Sequence, residues 1–224
     1  MAASAPRAVV IGGGVVGSAV AMQLARRGAQ VTLVERLPAL ALQASGTSSG
    51  VLHTGFDSTP GELETQLIIR SAAIRGELME ALGVPVMDCG AVLTPEGEEQ
   101  LAAVDALEAN ARENGVEVSR GRDGELEIPG EHVTDPVACT YAWASAAAGA
   151  GATIRLDTPT GSIRATGNGV EVETSDGALE AEVAINCAGL RGGEVSGDRF
   201  GVYPRKGEFL VFDQPSEPIR RIQL

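Results

Sequence analysis

The chain has 224 residues, 44% of them apolar, and a formal net charge of −13. That length holds one or two domains, and that apolar share supports a packed core. The acidity argues against a nucleic-acid partner and against electrostatic attachment to an anionic membrane, because both need a basic face; a solvated acidic surface is the simpler reading. Cys89, Cys139 and Cys187 lie far apart without C-x-x-C spacing, and His53 and His132 are the only histidines. No metal site is expected from that set. The cysteines suit a reducing cytoplasm, with Cys139 and Cys187 expected inside the core.

The first thirty-five residues carry the strongest pattern. An apolar strand over Ala8–Ile11 runs straight into Gly12-x-Gly14-x-x-Gly17. A helix follows, with Val16, Ala19, Val20 and Leu24 at helical spacing, and a second strand over Val31–Val34 ends in Glu35. Gly12 permits a tight turn, Gly14 lets the backbone approach a pyrophosphate, and Gly17 lets helix and strand pack closely. The pyrophosphate would sit at the positive end of the helix, and Glu35 would accept hydrogen bonds from a ribose. Glu35 lies eighteen residues after Gly17, near the spacing of about 20 that such sites use. A carboxylate there disfavours the 2′-phosphate of NADP but does not separate NAD from FAD. The stretch from residue 8 to residue 25 is nearly all apolar, yet three consecutive glycines, Ser18 and Gln23 interrupt it. Neither a membrane span nor a secretory signal is therefore expected, and the chain is read as cytoplasmic, free or at the periphery of a membrane.

The remaining elements follow in order. Residues 37–50 form a loop rich in Ala, Ser, Gly and Thr. Residues 62–82 read as a helix, with Leu63, Leu67, Ile74, Leu78 and Leu82 on one stripe, and Gly83 ends it. One or two short strands fit Val84–Thr94. A second helix fits Glu96–Asn114, with Leu101, Val104 and Leu107 facing inward. A charged stretch over Arg120–Pro129 turns at Asp123-Gly124. Pro136–Gly149 reads as an Ala-rich helix opened by Asp135 and Pro136. Ala152–Leu156 reads as a strand. Ser162–Ala165, Val170–Thr174 and Leu179–Ala181 form a meander, Val183–Cys187 a buried strand, and Glu208–Phe212 a further strand.

Four segments together resemble the FAD-dependent oxidoreductases of the D-amino-acid-oxidase type. They are Val10–Gly17, Gly46–Gly55 with Pro60–Leu63, Asp135-Pro136 with the strand ending Ile185–Gly189, and Tyr203–Val211. The second and fourth are most similar to FAD-dependent glycerol-3-phosphate dehydrogenases and L-2-hydroxyglutarate oxidases. The resemblance implies an α/β fold: a Rossmann-like FAD-binding domain with an inserted α+β substrate domain built on an antiparallel sheet. It implies FAD-binding parts over residues 1–83 and 135–198, and substrate-domain parts over 84–134 and 199–224. The expected activity is oxidation of a small anionic hydroxy compound by hydride transfer to flavin N5, with an amino-acid or amine oxidase as the alternative. The electron acceptor is left open among oxygen, a quinone and a partner protein.

Residue by residue, the resemblance assigns FAD contacts to Gly12, Gly14, Val15, Val16 and Gly17 in the turn and to Glu35 and Arg36 at the second strand's end. It adds Thr47, Ser48, Ser49 and Leu52, then Thr160 beside the adenine, and Ala188 with Gly189 under the pyrophosphate. The small hydroxyl residues at 47–49 can offer N–H and O–H groups to phosphate. His53 would lie near the isoalloxazine as proton acceptor or substrate contact, its ordinary pKa near 6.5 suiting that task; a structural histidine and a covalent flavin link are alternatives. Arg205 and Lys206 would clamp an anionic substrate, with Arg205 favoured for its two parallel bonds; a solvated basic pair is the alternative. Phe56 and Asp57 stand where some relatives carry an Arg-Tyr or Tyr-Tyr pair, so neither subfamily's substrate is copied across.

The family's C-terminal Gly-rich segment does not follow Arg205. The C-terminal part of the fold is therefore expected to be missing, and the chain by itself is not expected to be a competent oxidase. An NAD-dependent dehydrogenase and a non-catalytic nucleotide-binding fragment are the competing readings. The first gives no task to the loop at 46–50 or to Ala188-Gly189.

Overall fold

The computed structural model describes residues 4–210, 213 and 219–224. In chain order the elements are β1 (Arg7–Ile11), α1 (Val15–Arg26), β2 (Gln30–Val34), β3 (Val51–Leu52) and α2 (Leu63–Ala81). Strands β4 (Val86–Met87) and β5 (Ala91–Leu93) lead to α3 (Gly97–Glu113), then to β6 (Ser119–Arg120), β7 (Leu126–Ile128) and β8 (His132–Thr134). Helix α4 (Pro136–Gly149) precedes β9 (Thr153–Arg155), β10 (Thr160–Thr166), β11 (Gly169–Thr174), β12 (Gly177–Ala181) and β13 (Val183–Asn186). A 3₁₀ turn at Gly189–Arg191, the short helix α5 (Gly192–Val195) and β14 (Ile222–Gln223) follow. Two compact units result, Met1–Ser48 with Pro136–Glu208, and Ser49–Asp135 with Phe209–Leu224.

The first unit is built on a parallel sheet in the order β13-β1-β2-β9. Strand β1 lies inside it, and Ala8, Val9, Val10 and Ile11 are all buried. An unbroken apolar run, rather than an alternating one, is what a strand covered on both faces requires. Helix α1 makes the crossover from β1 to β2 and packs on α4. Both helices bury mostly small residues, Gly17, Ser18, Ala21 and Ala25 from α1 and Thr140, Ala144 and Ala147 from α4, so their axes can approach closely. The antiparallel meander β10-β11-β12 adds Val172 and Ala181 to a core that also contains Val9, Ile11, Val34 and Val195. One expectation is corrected here. The strand ending in Cys187 is not buried, since β13 is at the sheet edge, Val183 is exposed and Cys187 is half-buried.

The second unit holds two sheets. One is antiparallel, β3-β8-β4; the other runs β14-β5-β7-β6, antiparallel except that β14 lies parallel to β5. Its core gathers Phe56, Ala91, Val104, Ala111, Leu126 and Ile128, with Ile222 packed against it. The charged stretch at 120–129 proves to be the β6–β7 hairpin. The first stretch of unit one ends at Ser48; within the second unit β3 pairs with β8, and Arg75 of α2 donates to the carbonyls of His53 and Gly130.

Helix α2 uses little of its leucine stripe. Leu63, Leu67 and Ile74 are exposed and Leu78 and Leu82 half-buried, while Thr65 and Met79 are buried. Polar anchors set its inner face instead: the Thr65 hydroxyl donates to the Thr59 carbonyl at 2.5 Å, and Arg75 reaches back to the His53 and Gly130 carbonyls. Helix α3 keeps most of its expected inner face, with Val104 buried and Leu107 packed against the core. Asn110 and Asn114 donate to the carbonyls of Gly55, Phe56 and Ser58, which turns Val104 inward and leaves Leu101 at the surface.

Candidate functional site

In the first unit the candidate residues gather at the C-terminal ends of β1, β2 and β13. Gly12 has φ +110, and a Cβ on it would overlap the carbonyl oxygen of Cys187. A Cβ on Gly17 would overlap the carbonyl oxygen of Gly12. Both positions therefore require glycine. Helix α1 begins here with no acidic residue in its first turn, and Val16 is 62% exposed, so the positive end of the helix faces solvent. The Glu35 carboxylate accepts the Gly13 N–H at 2.7 Å and the Leu37 N–H at 2.9 Å. Each of its oxygens retains a second lone pair for a ribose hydroxyl. Arg36 is exposed beside it.

The Val15 N–H donates to the Ser45 hydroxyl at 2.9 Å, which holds the loop after β2 over the helix start. Ser45 was not singled out in the sequence because it looks like its Ala, Ser and Gly neighbours; only tertiary pairing distinguishes it. Thr47 and Ser48 follow on the exposed part of this loop, and Ser49 opens the second unit. Thr158 donates its N–H to the Glu35 carbonyl at 2.8 Å, and Thr160, two residues on, opens β10. Ala188 donates to the Asn186 side chain at 3.1 Å, and that side chain donates onward to the Gly192 carbonyl at 2.7 Å. Asn186, also unforeseen, thus sets the turn through Gly189. Burial pushes the nearby Cys187 thiol up. A glycine-lined turn, a helix whose first turn carries no acidic residue and a carboxylate at the end of β2 fit the phosphates and ribose of a dinucleotide.

Arg205 and Lys206 are exposed on an irregular segment, and Lys206 pairs with Glu208. The strand expected from Glu208 is absent over Glu208–Leu210, and its last residues, Val211 and Phe212, lie outside the described residues. Without a strand to alternate their side chains, nothing turns one of the pair inward.

The second unit contains a groove of about 590 Å³, walled by β3, His53 and α2, with Leu52, Leu67, Ile68, Ser71 and Arg75 among its lining. The side chain of His53 is 53% exposed. Its Nδ1 lies 3.1 Å from the carboxylate of Glu131, a residue only 1% exposed. The other Glu131 oxygen accepts the Thr54 N–H at 2.6 Å and the Thr54 hydroxyl at 2.8 Å. Arg75 joins the two segments, donating to the His53 carbonyl at 2.5 Å and the Gly130 carbonyl at 2.8 Å. The hydrogen bond to Glu131 raises the His53 pKa above 6.5 against the effect of burial; the charges of Glu131 and Asp57 add to the rise and that of Arg75 opposes it. Burial pushes the Glu131 carboxyl up, but its His53 and Thr54 partners outweigh this and leave it below its ordinary value. Phe56 lies in the core rather than in the groove.

The family model for FAD dependent oxidoreductases of the DAO type matches residues 7–223. The chain belongs to this family. The FAD-dependent oxidoreductase family includes relatives of two named activities. An L-2-hydroxyglutarate dehydrogenase of Escherichia coli K12 is 28% identical over 81% of this chain and 47% of its own length. A glycerol 3-phosphate dehydrogenase of Caloramator mitchellensis is 24% identical over 92% of this chain and 47% of its own. The mitochondrial L-2-hydroxyglutarate dehydrogenase of Caenorhabditis briggsae is 34% identical over 57% of this chain and 28% of that protein. The chain spans about half the length of these relatives or less. The glycine oxidase of Geobacillus kaustophilus superposes with TM-score 0.77 at 23% identity, over 85% of this chain and 57% of that one. The L-α-glycerophosphate oxidase of Mycoplasma pneumoniae, solved with FAD bound, does so with TM-score 0.77 at 22% identity, over 87% and 58%. These two likenesses establish the α/β fold. Among the described residues, no helix is long and apolar enough to cross a membrane.

Proposed function

We propose that the protein is an FAD-dependent oxidoreductase that removes a hydride from a small anionic hydroxy compound, a 2-hydroxy acid or glycerol 3-phosphate. The observation that carries this reading is a basic imidazole on the wall of a ligand-sized groove, beside a cation, in a chain of this family. Gly12, Gly14, Val15, Val16 and Gly17 would hold the pyrophosphate of FAD, with Glu35 and Arg36 at the ribose and Thr160 at the adenine. Thr47, Ser48, Ala188 and Gly189 would complete the cradle. Bound FAD supplies the two-electron acceptor that no side chain provides.

Every other task falls to the chain. The substrate C–H bond breaks with both electrons leaving as hydride, and the hydroxyl proton passes to neutral His53. Arg75 supplies positive charge at the groove. Its terminal nitrogens each spend one N–H on a backbone carbonyl and keep another for a carboxylate or phosphate. The likenesses to L-2-hydroxyglutarate and glycerol 3-phosphate dehydrogenases support an anionic hydroxy substrate over an amine.

His53→Gln in the full-length protein tests this. Flavin content should stay the same while the rate of flavin reduction by the hydroxy substrate falls by roughly 10²–10⁴-fold, as for loss of a general base. An unchanged rate would contradict the assignment.

A further inference from the structure

A histidine offered as a base is useful only if the correct nitrogen is unprotonated. Around His53 that choice is already made. An ionised carboxylate can only accept hydrogen bonds, and Glu131 is buried, so the ring nitrogen 3.1 Å from it must carry the hydrogen. The opposite oxygen of Glu131 is occupied twice over by Thr54, which prevents the carboxylate from rotating away. Arg75 fastens the His53 and Gly130 backbones, so the two partners cannot separate without breaking that clamp.

We propose that Glu131 is a positioning residue that fixes His53 in the Nδ1–H form and so keeps Nε2, on the other edge of the ring, as the basic atom at the groove. The benefit for turnover rests on the proposed role of His53; the tautomer itself does not. The arrangement also specifies what an isosteric amide would do. In Glu131→Gln the amide oxygen must stay with the Thr54 N–H, which can only donate, and the Thr54 hydroxyl can go on donating to it. The amide NH₂ then faces His53 Nδ1 and makes it an acceptor, which moves the proton to Nε2. The base is thereby lost with no change in shape.

The charged groups facing the ring are Glu131, Asp57 and Arg75, with Glu64 on the groove wall. Replacing the Glu131 carboxylate removes the hydrogen bond that does most to raise the His53 pKa, and its charge with it, so titration of the ring moves to lower pH.

Long-range ¹H–¹⁵N spectra of the full-length protein, labelled in histidine, report the tautomer directly above the titration midpoint. Wild type should show His53 protonated at Nδ1, and Glu131→Gln should show it protonated at Nε2 with a lower midpoint. Flavin reduction in Glu131→Gln should fall about 100-fold, the scale of a lost general base, with flavin content intact. The Nε2–H form in wild type would overturn the proposal, and that measurement needs no variant to fold. An identical tautomer and midpoint in the two proteins would overturn it as well. A tautomer switch accompanied by undiminished turnover would leave the Glu131–His53 lock standing and remove His53 as the base.

Discussion

At the scale of single residues, Glu35 and the His53–Glu131 pair make distinct demands. Glu35 bonds the Gly13 and Leu37 N–H groups, so it shapes the turn before it meets any ligand. Glu35→Ala should weaken FAD binding by roughly 1–3 kcal/mol, the worth of a charged hydrogen bond, in a flavin titration; equal affinity would remove the ribose assignment. The sequence pointed to Glu35 because its place after a glycine turn and a strand is a spacing rule. It pointed to His53 only through resemblance, and to Glu131 not at all. An acid in Gly130-Glu131-His132 has no periodicity to mark it, and its partner is 78 residues away in the chain.

The same pair sets a pH window for stability. The folded-state pKa of His53 is raised, so its contribution is full below the unfolded value of 6.5 and is lost as pH rises through the raised value. That of Glu131 is depressed, so its contribution is full above the unfolded value of 4.5 and is lost as pH falls through the depressed value. Both contributions are complete only between those limits. Thermal unfolding followed across pH should show this window in wild type and lose much of it in Glu131→Gln; superimposable profiles would mean that the pair is not formed.

At the scale of elements, what could be read in advance depended on which force orients each element. The strand, turn, helix and strand of the first unit were legible because backbone sterics dictate them. Gly17→Ala should therefore cost about 1–3 kcal/mol by overpacking against the Gly12 carbonyl, and should lower flavin retention in parallel. Urea denaturation showing less than half a kcal/mol of loss would contradict that close approach. The inner face of α3 was legible in part, through Val104 and Leu107, and that of α2 was not. The apolar stripe of α2 suggested one orientation, but Thr65 and Arg75 bond to backbone carbonyls and impose another. Hydrophobic spacing does not register a side chain that caps a loop far away in sequence. The expected strand from Glu208 failed for a related reason: Gly207-Glu208-Phe209-Leu210 has strand composition but no ladder partner over Glu208–Leu210.

At the scale of the molecule, each unit carries one half of the proposed chemistry. The first has the glycine turn and helix start that suit a dinucleotide, and the second has the imidazole, the buried carboxylate and the groove. The chain threads the first unit twice, leaving it after Ser48 and returning at Pro136. The measurement that bears most directly on the account is anaerobic mixing of the full-length, FAD-loaded protein with candidate substrates while the visible flavin band is followed. L-2-Hydroxyglutarate or glycerol 3-phosphate should bleach the flavin, and glycine should leave it coloured. Bleaching by glycine alone, or a protein that binds no flavin, would contradict it.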